Sequence, residues 1–338
     1  MRQRSLKNGV SLTGLGLGAA QFGNLYRETS DDDVVGAVGA AWDAGIRYFD
    51  TAPHYGLGLS ETRLGSALRS YPRDEFVLST KVGRMLVPNP GHEHEQDDQG
   101  FAVPAVTRRQ WDFSADGVRR SLDRSLERLG LDRIDIVYLH DPDDFYEEAA
   151  TGAIPALIEL REQGVIGAVG AGMNQSAMLA RFVAEHDVDV VMCAGRYTLL
   201  EQTAAEDLLP LAQERGVAVV VAGVYNSGLL AQPRVAAGAL YDYERAPAQL
   251  VKRANAIADL CERHGTTLPE AALAFPFRHP AVASVVIGAR SRHQVTSNLE
   301  RYAARIPDSL WHDLASAGLL QVPVSTGGPA STTEGPLA

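Results

Sequence analysis

Eight short, apolar, β-prone runs alternate with longer segments of helical period along almost the whole chain, and this alternation constrains the fold more than any other feature. The runs are LGLGAA (15 to 20), IRYFD (46 to 50), FVLSTK (76 to 81), IDIVYLH (134 to 140), IGAVGA (166 to 171), VDVVMC (188 to 193), VAVVVA (217 to 222) and ASVVIG (283 to 288). Between them, helical segments are read from Ser30 onward, then near Ser60 to Leu68, Ser114 to Leu129, Ile154 to Glu162, Gln175 to Glu185, Ala204 to Arg215 and Pro247 to His264. Ser30 followed by Asp31, Asp32 and Asp33 has the form of a capped helix start with acids in the first turn. Strand and helix in regular succession are what a parallel sheet with crossover connections requires. Eight such units predict an α/β fold, a (β/α)8 TIM barrel. Asn8-Gly9 between alternating residues predicts an N-terminal β-hairpin ahead of it, and an extra C-terminal helix is expected after it. A doubly wound sheet with a small second domain is the alternative.

A barrel can use this length as one unit, so residues 1 to 320 are expected to form a single domain. Residues 84 to 113, rich in Pro, Gly and acids, form a long loop after the third strand, a place where lids and substrate-binding elements occur. Residues 321 to 338 (QVPVSTGGPASTTEGPLA) read as a flexible C-terminal tail. With 45% hydrophobic residues the chain can fill a large core. Lys and Arg number 31 against 42 Asp and Glu, a net charge of −11 that opposes phosphate backbones and anionic membranes, so neither nucleic acid nor membrane is an expected partner. Two cysteines form no disulfide framework, and the start MRQRSLKNG leads into alternating residues and glycines rather than a signal-peptide apolar region. The expected setting is the cytoplasm, as a monomer or small homo-oligomer.

In a barrel the reacting groups belong at the C-terminal ends of the strands. The second run ends in Asp50 and leads through His54 to Tyr55; the third ends in Lys81, the fourth in His140, and the fifth leads to Asn174. Taken singly, each has a plain structural reading: Asp50 and Lys81 as a rim ion pair, His140 as a bonded core histidine, Tyr55 as a loop aromatic. Other patterns carry less. Gly14 to Ala19 fits G-x-G-x-x-A, but that motif must open a helix and the first helix signal comes only at Ser30. His92 and His94 sit in an acidic loop with no third ligand at a recognisable spacing, so no metal is expected. Cys193, in an apolar run, reads as core rather than as a redox group.

The stretch FDTAPHYGLGLSETRLGSAL, followed by STKVG and LDRIDIVYLHDPD, resembles the aldo-keto reductase superfamily, from about Leu15 to Gly318. The resemblance implies a catalytic tetrad of Asp50, Tyr55, Lys81 and His140. Together, in this order and at these strand ends, the four point to chemistry. Hydride transfer at a carbinol carbon needs a proton transferred at its oxygen, hence an acid-base group that works in both directions. Tyr55 would be that group, Lys81 would favour its phenolate, Asp50 would hold Lys81, and His140 would orient the substrate oxygen.

A phosphate site is expected at the loops after strands seven and eight and at the start of the following helix. Those loops run from Gly223 to Gly228 and from Gly288 to Gln294, with Ser291 as N-cap of a helix reaching about Arg301. The resemblance places Asn174 at the nicotinamide carboxamide, Ser227, Gly228 and Leu230 at the phosphates, and Gln294 and Asn298 at the adenosine; Gly288 and Arg290 belong to the same loop. Three positions depart from the common pattern: Ala194 stands near the usual Gln, Ala222 near the usual stacking aromatic, and Gln294 where a basic residue often grips the NADP 2′-phosphate. NAD is therefore the expected cofactor, with NADP as the alternative.

Within the superfamily, VGAGMNQ, AGRYTLL and the insertion containing WDFS resemble the D-threo-aldose 1-dehydrogenase branch, which includes L-fucose and L-galactose dehydrogenase-like enzymes and a pyridoxal dehydrogenase. The implied reaction is oxidation of an aldose (L-fucose, L-galactose or D-arabinose type) at its anomeric carbon to a lactone. His54, Trp111 and Arg196 are candidate contacts for the sugar. The alternatives are a pyridoxal 4-dehydrogenase or a general aldehyde reductase; more distant ones are a Schiff-base lyase using Lys81 and a cofactor-binding regulatory subunit.

Overall fold

The computed structural model describes residues 1–236, 238–241 and 244–320; the expected tail, 321–338, lies outside the described residues. All eight runs form strands. They are β1 (Leu15–Gly18), β2 (Tyr48–Asp50), β3 (Val77–Val82), β4 (Ile136–His140), β5 (Ala168–Met173), β6 (Val190–Ala194), β7 (Ala218–Ala222) and β8 (Val282–Gly288). Each pairs in parallel with its neighbours in sequence, and β8 pairs with β1 to close the barrel. The fold is a (β/α)8 TIM barrel. Among the described residues no helix is long and apolar enough to cross a membrane.

The helices begin and end where local chemistry directs. Helix α1 (Asp31–Asp43) is capped by Ser30, whose hydroxyl accepts from the Asp33 N–H, and carries three acids in its first turn. After α2 (Leu59–Leu68), α3 (Ala115–Leu129) is capped by Ser114 and stopped by Gly130 at φ 62. Helices α4 (Ile154–Glu162), α5 (Ser176–Glu185), α6 (Leu208–Arg215) and α7 (Ala248–Arg263) follow the expected segments closely. Helix α8 (Leu268–Ala274) was not anticipated; the Glu270 carboxylate accepts from the Thr267 N–H at 2.7 Å to start it. The chain continues through α9 (Arg292–Ala303), capped by Ser291, to α10 (Asp308–Ser316), the extra C-terminal helix.

Side chains alternate along each strand, dividing the apolar residues into two cores. Phe49, Leu78, Val137 and Val191 face the helices, whereas Tyr48, Ile136, Tyr138, Val190 and Met192 fill the barrel. The N-terminal hairpin, Gln3–Ser5 against Ser11–Thr13, closes the barrel floor by adding Leu6 and Leu12 to the inner core. The glycines of β1 have a packing role: a Cβ on Gly16 would come within 2.6 Å of the Tyr48 ring. A Cβ on Gly18 would come within 2.8 Å of Val286.

Residues 84 to 113 are not an irregular loop. Arg84–Pro88 and Thr107–Trp111 form an antiparallel hairpin, and its tip leans back over the barrel mouth through a bridge between Leu25 and Phe101. Its strands carry charged residues and are half-exposed, which hides the two-residue alternation from a reading of the sequence.

Candidate active site

Asp50, Lys81 and His140 stand at or beside the C-terminal ends of adjacent strands, and Tyr55 lies in the loop leaving β2. That loop is fixed from below: Thr51 Oγ1 and Ser60 Oγ are 2.8 Å apart, and Ser60 Oγ donates to the Ala19 carbonyl at 2.7 Å. All four side chains line one cavity of about 800 Å³ at the barrel mouth. Lys81 Nζ donates to Asp50 Oδ2 at 2.7 Å and to the Thr51 carbonyl at 2.9 Å, and lies 4.9 Å from the centre of the Tyr55 ring. Burial pulls the Lys81 pKa down, but Asp50 and Tyr55 outweigh it and hold the ammonium above its ordinary value. For Tyr55 burial dominates: the phenol is raised, and Lys81 only partly counteracts this. His140 is buried and kept neutral, its pKa pushed well down by burial first and then by Arg84 and Lys81. Its Nδ1 meets no partner among the described residues.

A column of hydroxyls stands beneath Asp50, inside the barrel. Ser79 Oγ donates to Asp50 Oδ1 at 2.7 Å and lies 3.1 Å from the Tyr48 hydroxyl, which is 3.1 Å from that of Tyr138. A serine has one proton. With that proton on the carboxylate, Tyr48 donates to Ser79 and Tyr138 to Tyr48. Burial raises both phenols well above their ordinary range, so both remain neutral donors. Each donor in the column draws on the Asp50 charge and leaves the Lys81 ammonium less compensated toward Tyr55. If Tyr55 is the acid-base group that the sequence leads one to expect, Ser79→Ala should move the alkaline rise of the oxidation upward by roughly half to one pH unit, with Ser79→Thr restoring it. A pH–rate profile that stays in place would show the column to be structural only.

A second cavity of about 370 Å³ continues outward between β8, α9 and the turn after β7. The two share Gln21 and Gly288. A Cβ on Gly288 would meet Gln21 Nε2 at 2.5 Å, and Gln21 Oε1 is buried without a partner among the described residues. The arrangement fits an elongated ligand that passes Gln21, with one end beside Tyr55 and the other at the capped N-terminus of α9.

The residues expected at this groove divide into two groups. Asn174 and Gly288 line the inner cavity, together with Ala194 and Ala222, and Gly288, Arg290, Gln294 and Asn298 line the outer one. Ser227, Gly228 and Leu230 line neither; Leu230 is fully buried and its N–H donates to the Tyr225 carbonyl at 3.0 Å. Ser291 caps α9. Tyr225, within the loop expected to hold phosphate, also lines the groove, and so do Gln21, from the turn after β1, and Arg301, from the last turn of α9, neither of which was expected there.

Of the expected substrate contacts, His54 lines the cavity. Its Nδ1 accepts from Arg109 Nε at 2.6 Å, and burial with Arg84 and Arg109 lowers its pKa to about 2, leaving it neutral. Trp111 and Arg196 are not among the lining residues; Trp111 packs on Phe113 and Phe145 instead. Cys193 is buried and burial pushes its thiol up to about 12, which suits a core residue. Among the described residues no group of three or more His, Cys, Asp and Glu side chains is placed to hold a metal ion.

The profile of the aldo/keto reductase family matches residues 14–318. The chain belongs to the aldo/keto reductase family. It is 49% identical over 318 residues to a D-threo-aldose 1-dehydrogenase of Pseudomonas sp, covering 93% of this chain and 97% of that one. It is 41% identical over 331 residues to a pyridoxal 4-dehydrogenase of Microbacterium luteolum, covering 93% and 96%. Among solved structures it resembles an aldo-keto reductase of Bacillus halodurans with a TM-score of 0.73 at 27% identity, covering 96% of this chain and 98% of that one.

Proposed function

We propose that this family member is a nicotinamide-dependent aldose 1-dehydrogenase that oxidises a sugar of L-fucose, L-galactose or D-arabinose type to its lactone. The observation that carries this reading is the meeting of Tyr55, Lys81, Asp50 and His140 on the wall of the inner cavity, the end of the groove that runs past Gln21. Similarity to the Pseudomonas D-threo-aldose 1-dehydrogenase supports the substrate class. Bound nicotinamide supplies the acceptor for the hydride that leaves C1. The chain's own residues handle the proton and the oxygen. Tyr55 takes the proton of the C1 hydroxyl on its phenolate oxygen as the C=O bond forms, and returns it in the reverse direction. Lys81, held charged by Asp50, supports that phenolate, while neutral His140 holds the substrate oxygen.

The charged Lys81 argues against a Schiff-base lyase, which needs a neutral amine. Similarity to the Microbacterium enzyme keeps pyridoxal in view. The aromatic stacking expected of Trp111 has no support, because that ring does not line the cavity.

NAD is proposed as the preferred cofactor. Gln294 is neutral, and its Oε1 accepts from the Arg290 N–H at 2.9 Å. The Arg290 guanidinium donates to the Leu25 and Arg27 carbonyls and to Thr29 Oγ1, which uses most of its fork on its own fold. Reduction of NAD and NADP by a panel of aldoses and pyridoxal tests both parts. The expected result is turnover of an aldose with NAD, and a shift toward NADP in Gln294→Arg. A tenfold preference for NADP in kcat/KM would overturn the cofactor assignment; oxidation of pyridoxal alone would overturn the sugar.

A further inference from the structure

Arg84 and Asp141 line the inner cavity beside Tyr55 and His140, and the roles above do not use them. Arg84 opens the excursion hairpin and Asp141 follows His140 directly. Arg84 Nη2 donates to Asp141 Oδ2, and the guanidinium lies 4.6 Å from the centre of the Trp111 ring. Asp141 sits at φ 44, in the left-handed region, with its N–H donating to the Gly172 carbonyl at 3.0 Å. A non-glycine residue stays there only where its surroundings over-determine it, and such residues gather at functional sites.

The donors at this wall outnumber the acceptors they meet. Arg84 Nε is buried and has no acceptor among the described residues. Because His54 Nδ1 accepts from Arg109, the His54 proton is on Nε2, which faces Arg84 Nη1 across 3.5 Å. Two donors facing each other call for an oxygen acceptor. The wall nevertheless has no net charge to attract an anion, since Arg84 is paired with Asp141 and Arg109 with Asp97.

We propose that Arg84, Asp141 and His54 form a clamp for vicinal hydroxyls on a neutral substrate: one hydroxyl donates to Asp141, while the substrate oxygens accept from Arg84 and His54. The clamp rests on the reaction proposed above and makes these three residues the determinants of its substrate class. It selects polyhydroxylated carbonyl compounds over plain ones and disfavours carboxylates and phosphates.

The test compares reduction of glyceraldehyde, propanal and glyoxylate by the wild type and by Arg84→Met, Arg84→Lys and Asp141→Asn, with thermal unfolding to confirm folding. The wild type is expected to prefer glyceraldehyde to propanal in kcat/KM. Arg84→Met and Asp141→Asn should each reduce that preference by about tenfold to a hundredfold, mainly through KM. Arg84→Lys keeps the charge but loses the planar fork, and should fall between. In Asp141→Asn, with Arg84 uncompensated, glyoxylate should gain about tenfold relative to propanal. If Arg84→Met fails to fold, the other two variants carry the test. Equal losses on all three aldehydes, or a wild type with no preference for glyceraldehyde, would overturn the clamp. The aldose reading fails separately, if no sugar reduces NAD while the aldehyde preferences hold.

Discussion

Replacing Tyr55 with Phe is expected to lower kcat by about 10² to 10⁴, the usual worth of a positioned acid-base group. The ring can stay in place, because its contacts with Phe101 and His140, at centroid distances of 6.1 and 5.7 Å, do not need the hydroxyl. Cofactor affinity should persist, since the outer groove is lined by Tyr225, Arg290, Gln294 and Asn298 rather than by Tyr55. Single-turnover kinetics beside a fluorescence titration with NADH separate the two effects. The direction of the pH dependence follows from burial. A phenol held above its ordinary value is mostly protonated at neutral pH, so oxidation should speed up as pH rises toward its pKa, while reduction, which needs the proton, should slow only once pH reaches that pKa. Near-normal turnover in Tyr55→Phe would remove Tyr55 from the mechanism.

Arg128→Ala is expected to cost about 3 to 5 kcal/mol of stability. Glu61, on α2, is fully buried beneath the loop that carries Tyr55; its carboxylate accepts from Thr80 Oγ1 at 2.7 Å and from Arg128 Nε at 2.6 Å. Removing the guanidinium leaves a buried carboxylate with Thr80 still donating to it but without its opposite charge. The double change Arg128→Met with Glu61→Gln takes away both charges and should recover much of the loss, because the penalty comes from the unpaired charge rather than from a missing attraction. Urea unfolding of both variants measures this. A loss below about 1 kcal/mol for Arg128→Ala, the worth of an exposed pair, would show that water reaches Glu61.

The barrel was legible because each of its strands is a short apolar run set off by helix signals, and the strand ends differ from the runs by only a residue or two. The excursion hairpin was not, since RMLVP and TRRQW alternate weakly and pair across a long tip. Helix α8 was hidden by its shortness and by Pro269 in its first turn, although Thr267 and Glu270 mark its start. Within the site, the residues at strand ends could be placed by topology alone. Groups that act through pairing could not: Arg84 and Asp141 are 57 positions apart, and neither has a local pattern that joins them. The hydroxyl column escaped for a similar reason, since Tyr48 and Tyr138 read as ordinary apolar strand residues until their rings are seen end to end in the barrel.

The seam between β1 and β8 has a consequence for how the protein is made. Asp50, Tyr55, Lys81 and His140 are all synthesised in the first half of the chain, whereas Gly288, Gln294 and Asn298 come near its end. Gln21, which packs beside Gly288, is made at the outset. Ring closure, which sets Gly288 beside Gly18, is the event that turns two remote stretches into the one groove proposed above for the coenzyme. A nascent chain can thus hold Asp50, Tyr55, Lys81 and His140 together and still lack the proposed coenzyme groove. During refolding, the return of coenzyme binding would mark the joining of the last strand to the first rather than the growth of secondary structure.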